Sequence, residues 1–257
     1  MLTSGPTSAT ALVRQDVSPR LCRVTGYGDL AFLFLSGSEP QGRAPSHAVQ
    51  ARAVLERLSA MLDDIGSSRD DLLAATIWIA DIRERDAVLA QWDAWIGSRS
   101  PPALSLVGNS LAAPDKVIEV GLVTRRHIAS APSMESCEMP DIQRLVVNEQ
   151  PRISRVVKYG ELVFLSGVTA PDPSLDVRIQ VRQVLERIDG FLTQGGSDKH
   201  HILSATVWLA DIRNIGLMNE VWDEWVSKTS PPARATVEAR LATPQLQIEI
   251  GIVAAPA

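Results

Sequence analysis

Ser230-Pro231-Pro232-Ala233-Arg234-Ala235-Thr236-Val237 restates, at an offset of 130, the stretch Ser100-Pro101-Pro102-Ala103-Leu104-Ser105-Leu106-Val107. The echo extends upstream. Thr206-Val207-Trp208-Leu209-Ala210-Asp211-Ile212-Arg213 repeats Thr76-Ile77-Trp78-Ile79-Ala80-Asp81-Ile82-Arg83, and Trp222-Asp223-Glu224-Trp225 repeats Trp92-Asp93-Ala94-Trp95. The chain is a tandem duplication. One position breaks the match: Arg234 stands where the first copy has Leu104. Two halves with one backbone pattern and different residues at that point share a fold but not a chemistry.

Neither proline of each pair can continue a helix, so the chain turns there and leaves extended. Strands are predicted over 233–241 and 246–253, mirrored by 103–111 and 117–123. Upstream, the β-branched runs 202–210 and 72–80 read as strands. Each is followed by a helix that begins at Asp211 or Asp81. That helix gathers Met218, Val221, Trp222 and Trp225 on one face, or Val88, Trp92 and Trp95 in the first copy. Further upstream, Val177, Val181, Val184, Leu185, Ile188 and Leu192 fall at helical spacing before Gly195-Gly196. The matching helix runs from about Ser46, through Val49, Ala53, Leu58, Met61 and Leu62, to Gly66. Hairpins around Gly28 and Gly160 open the two copies. The order β-β-α-β-α-β-β predicts an α/β (α+β) sandwich with helices on one face of a mixed sheet, made twice. The expected division is a loose tail over 1–18, a first domain over 19–128, a linker over 129–148 and a second domain over 149–257.

With 257 residues and 45% hydrophobic content, the chain can bury two cores. Its formal charge of −5 comes from interspersed acids and bases without a basic block, so neither nucleic acid nor an anionic membrane is expected as a partner. Cys22 and Cys137 lack zinc-ligand spacing and do not suggest a disulfide framework. The start of the chain does not read as a signal peptide, and no long apolar run is present. A cytoplasmic protein is expected. His200-His201 reads as a turn pair, and His47 and His127 are isolated. The six Trp residues sit at paired core or interface positions, Ser166 lacks a nucleophile-elbow context, and phosphate-binding glycine loops are missing.

Strand alternation then sorts candidate chemistry. Ala235, Val237, Ala239 and Leu241 point one way, and Arg234, Thr236, Glu238 and Arg240 the other. In the last strand Ile248, Ile250 and Ile252 leave Glu249 on the second side. If helices cover the apolar side, Arg234, Thr236 and Glu249 share the opposite one; a plain salt bridge accounts for that pairing equally well. The same sort sets Leu104 and Leu106 beside Glu119, a surface expected to bind no carboxylate.

Ser166-Gly167 after an apolar strand, Asn219-Glu220, Pro232-Ala233-Arg234 and Ile248-Glu249-Ile250 together resemble the reactive intermediate deaminase family (Rid, formerly YjgF). The likeness covers most of the second copy and, without the arginine, the first. It implies a chorismate-mutase-like fold, a trimer with clefts between neighbouring sheets, and cofactor-free, metal-free hydrolysis of enamines or imines to a keto compound and ammonia. Residue by residue, it implies that Arg234 binds the substrate carboxylate and that Ser166, Gly167 and Ile153 line the cleft. Asn219 and Glu249 would support it, and the Thr236 backbone would help place the attacking water. Ile153 stands where the best-known members carry an aromatic hydroxyl, and Thr236 where they often carry cysteine. The alternative is a non-catalytic small-molecule-binding or regulatory protein that keeps the cleft. Two domains per chain and three per ring imply a homotrimer of chains with rings sorted by copy.

Overall fold

The computed structural model describes residues 12–18, 22–37, 46–97, 101–127, 140–147 and 152–257. The first copy comprises β1 (Val13–Val17), β2 (Cys22–Tyr27), β3 (Leu30–Ser36), α1 (His47–Asp64), β4 (Leu72–Ile79), α2 (Arg85–Ile96), β5 (Ala103–Gly108) and β6 (Ile118–Arg125). The second repeats it as β7 (Gln143–Val147), β8 (Ser154–Tyr159), β9 (Leu162–Thr169), α3 (Val177–Gln194), β10 (Ile202–Leu209), α4 (Ile215–Trp225), β11 (Ala233–Glu238) and β12 (Ile248–Ala254). The six-stranded sheets have the orders β1-β2-β3-β6-β4-β5 and β11-β10-β12-β9-β8-β7. Among the described residues only β4–β5 and β10–β11 pair in parallel, because a helix crosses between them.

Ser46 caps α1 by accepting from the Val49 amide, and Asp176 caps α3 by accepting from Ile179 at 3.0 Å. Gly66 and Gly196 close the two helices at φ 67 and 72, where a side chain would be strained. Val54, Leu55, Leu58 and Leu62 of α1 then pack with Trp92 on Leu33, Ile77 and Leu122 of the sheet. In the second copy Val181, Val184, Leu185 and Ile188 pack with Trp222 on Val207, Ile248 and Ile250.

Each sheet gains a strand that the alternation pattern missed. Residues 13–17 of the expected tail form β1, and residues 143–147 of the expected linker form β7. Val-Arg-Gln-Asp-Val and Gln-Arg-Leu-Val-Val carry no helical or clean two-residue period. Antiparallel pairing with β2 and β8 orders them instead. Both carry a residue of left-handed φ at the same place, Asp16 at φ 51 and Val146 at φ 54, and neither takes part in the ladder, whose register is the same on either side. Cys137, with the remaining tail and linker positions 1–11, 128–139 and 148–151, lies outside the described residues.

The two domains meet side by side. Edge strand β5 and the end of β4 lie against β8 and β9, burying Leu73, Ala103, Val157, Tyr159 and Phe164 together. A second cluster joins Val107 of the first copy to Trp208, Ala239, Leu241 and Leu246 of the second. Polar contacts fix the register. Gly108 and Arg240 exchange backbone hydrogen bonds of 2.7 and 2.8 Å, Ser154 donates its amide to Pro102 O at 3.1 Å, and Tyr159 donates to Asp29. Arg152 pairs with Asp93 at 2.5 Å. The 233–241 strand expected in the second copy therefore stops at Glu238, and the residues after it serve the junction. Rings sorted by copy would set the outer face of the second sheet against another second domain. In this chain β5 of the first domain covers that face.

Candidate functional site

Register decides which side each side chain takes. Arg234 lies opposite Ala205 in the parallel β10–β11 pair, and Ala205 belongs to the core under the helices. Residues in parallel register share a face, so Arg234 and Thr236 point to the helix side, and Ala235 and Val237 to the outer side. Glu249 lies opposite Trp208, on the outer face. The expected grouping of Arg234 and Thr236 with Glu249 is thus not formed within the chain. Leu104 and Leu106 likewise pack with the helix-side core and not beside Glu119. The inversion has a physical cause: both faces of each sheet are apolar, one under helices and one at the domain junction.

What Arg234 does meet is neutral. Its Nη2 donates to Asn219 Oδ1 at 2.9 Å, its Nη1 approaches Met218 Sδ at 4.0 Å, and its guanidinium lies over the Trp222 ring at 5.1 Å. No acid among the described residues comes within ion-pairing distance of it. Thr236 stands two residues on, with its hydroxyl buried and without a partner. Arg234, Asn219 and Thr236 make one group at the open edge of the second sheet.

Ile153, Gly167 and Glu249 make another group, in the cleft between the domains. This cavity of about 290 Å³ is lined from the first domain by Arg85, Asp86, Leu89, Leu104 and Leu106. The second domain adds Arg152, Ile153, Arg155, Gly167, Thr169, Ala242 and Glu249. Glu249 is only 5% exposed and accepts no hydrogen bond among the described residues. Burial pushes its carboxyl up to about 8, with Arg155 pulling the other way. Gly167 is required by space, since a Cβ there would sit 1.8 Å from Glu249 Oε1. Ser166 is buried behind them and accepts from Arg155 Nη1 at 3.4 Å.

The first copy carries the same outer-face residues, wired differently. Ser36 donates to Glu119 at 2.9 Å, and Arg23 is paired with Asp16 at 2.7 Å. Sequence reasoning missed Arg155, whose match to Arg23 was visible but whose loss of an acid partner, Val146 in place of Asp16, depends on the pairing of β1 and β7. His200 and His201 bond to Ser227 and Asp198, and among the described residues no three His, Cys, Asp or Glu side chains could share a metal ion. No helix among them is long and apolar enough to cross a membrane.

Comparison with known proteins places both halves together. A family model described as Endoribonuclease L-PSP matches residues 27–125 and again 148–256. A RutC family protein of Haemophilus ducreyi is 43% identical over 104 residues, 40% of this chain and 89% of its own length. The RutC family protein YoaB of Escherichia coli is 38% identical over 109 residues, 42% of this chain and 95% of its own. Among solved structures, a YjgF family protein from Neisseria meningitidis aligns at 40% identity with a TM-score of 0.45, over 47% of this chain and 98% of its own.

Proposed function

The chain belongs, in both of its halves, to the L-PSP family whose members are also named RutC, YjgF and Rid, and from that premise we propose that it hydrolyses carboxylate-bearing enamines or imines to a keto compound and ammonia, with Arg234 as the carboxylate anchor. The observation that carries this reading is a guanidinium held by an amide, a thioether and an indole, with no acid among the described residues to consume its charge. Such an arginine keeps its bidentate fork for an anion from outside. An imine carbon is already electrophilic, so positioning and a proton donor suffice. Water adds to the C=N carbon while the nitrogen takes up a proton. The carbinolamine then expels ammonia as the new hydroxyl loses its proton, leaving the ketone.

Arg234 needs an acid-bearing wall opposite it, and the duplication indicates which one. Within the chain, the β5 edge seats on the outer face of β8–β9, and β5 is almost wholly buried. Its repeat β11 is open, with Val237 41% exposed, and the repeat of the β8–β9 face is open too, with Phe32 and Phe34 40% and 48% exposed on β3. We place the β11 edge of one chain on the β2–β3 face of another, where Ser36, Gly37 and Glu119 would face Arg234 and Asn219. Head-to-tail contacts of this kind close into a ring where the rotation permits, and the number of chains is what light scattering reads. The −5 formal charge without a basic block gives the site no reason to prefer RNA, despite the family's description.

Ammonia release from enzymatically generated iminopropionate tests the chemistry. Arg234→Ala should lose most of the wild-type rate, on the order of a hundredfold for one charge-assisted bidentate contact; equal rates for both proteins overturn it. Light scattering tests the assembly separately. Wild type should run as a multiple of the chain mass and Val237→Arg as one chain, and a wild-type monomer at micromolar concentration refutes the contact.

A further inference from the structure

The cleft inside the chain has no counterpart of Arg234, since Leu104 stands at that position. It is nevertheless cationic: Arg85, Arg152 and Arg155 line it against Asp86 and Glu249. Arg152 is held by Asp93, and Arg85 by Asp86 and the Ala242 carbonyl. Arg155 alone of the three has no ion pair among the described residues, only a long bond to Ser166. Its repeat explains why. Arg23 is neutralised by Asp16 of β1, whereas β7 places Val146 at the matching position. The acid on the same wall has also been released, because Ser36 donates to Glu119 in the first copy while Ser166 faces Arg155 in the second and leaves Glu249 without a donor. A half-buried arginine without an ion pair and a buried carboxyl group without a hydrogen-bond donor, opening on one cavity with Leu89, Leu104, Leu106 and Ile153, form a site that no described residue fills.

We propose that this cleft is a second ligand site, which takes a monocarboxylate with a branched apolar tail: Arg155 and Glu249 hold the carboxylate and Leu89, Leu104 and Leu106 receive the tail. Glu249 remains protonated up to about pH 8, so it offers an O–H to an incoming carboxylate where an ionised glutamate would repel it. The leucines that remove an anion anchor from the first copy thus set the ligand's shape, and the second copy supplies the charge. The face expected to bind no carboxylate acquires one only because the two copies meet. This assignment does not rest on the deaminase reading, since the site excludes Arg234.

Isothermal titration of the full chain with 4-methylpentanoate and with acetate tests it. In the Arg234→Ala chain, which lacks the outer carboxylate anchor, one equivalent of 4-methylpentanoate should bind, at least about tenfold tighter than acetate, given the transfer of four extra carbons. Adding Arg155→Gln to that chain should weaken it about tenfold or more. Leu106→Ser, in the other domain, keeps the test alive if Arg155→Gln misfolds: it should bring the two ligands within a few-fold of each other. No binding of 4-methylpentanoate to the Arg234→Ala chain at millimolar concentration overturns the proposal. So does undiminished binding when Arg155→Gln is added, or a Leu106→Ser variant with undiminished preference.

Discussion

Replacing Glu249 by glutamine should stabilise this protein, and increasingly so as pH rises. The carboxyl is raised by burial from an ordinary 4.5 to about 8 in the folded chain. Below pH 4.5 both folded and unfolded chains are protonated there and the group is neutral to stability. Between the two values the unfolded chain releases the proton and the folded chain keeps it, so stability falls by about 1.4 kcal/mol per pH unit. Over the 2.5 units to pH 7 this costs about 3 kcal/mol, against about 0.7 kcal/mol at pH 5. Arg155 is the cation that limits the cost, and Arg85, Asp86 and Arg152 line the same cavity. Glutamine cannot ionise, and whatever its buried amide costs is the same at every pH. Urea denaturation of wild type and Glu249→Gln between pH 5 and 7.5 isolates the slope, because all other titrations cancel in the difference. A difference that stays constant over that range refutes the argument, and with it the picture of a neutral acid in the cleft.

Other consequences are as direct. Gly167→Ala sets a methyl 1.8 Å from Glu249 Oε1 and 3.0 Å from Ser105 Oγ, so thermal melts should show a loss of about 1–3 kcal/mol from overpacking at the domain junction. Asp71 is 3% exposed; burial opposes its charge, but the Ser68 hydroxyl and Arg125 together hold its carboxyl below the usual range. Its stabilisation is therefore present above the ordinary aspartate value and lost as pH falls through the lower folded one. Asp71→Asn should flatten the acid limb of the stability profile and cost about 3 kcal/mol at neutral pH by stranding Arg125.

The duplication, the helices and the order of the shared strands were legible because Pro-Pro punctuation, helical spacing and β-branched runs are local signals that each copy repeats. The sign of the faces was not. Alternation separates Arg234 from Ala235, but the tie to helix side or outer side requires knowing that Ala103, Val107 and Trp208 are buried against another domain. An apolar face destined for a neighbour looks like a core face. Strands β1 and β7 were hidden for the related reason that their order comes from pairing, not from pattern. Arg234, Asn219, Gly167 and Glu249 were each singled out from the sequence, yet they divide between the open edge of β11 and the cleft between the domains. Arg155 could not be told from Arg23 until the pairing of β1 and β7 showed which of them keeps an acid.

In a ring of identical single-domain subunits, a substitution at the position of Leu104 would enter every cleft at once, and each residue would answer to a single selective pressure. Fusion of two copies across the Gly108–Arg240 seam removes that constraint. Position 104 is read by the internal cleft and position 234 by the outer edge, so what was one alphabet for a repeated subunit is here two that can vary independently.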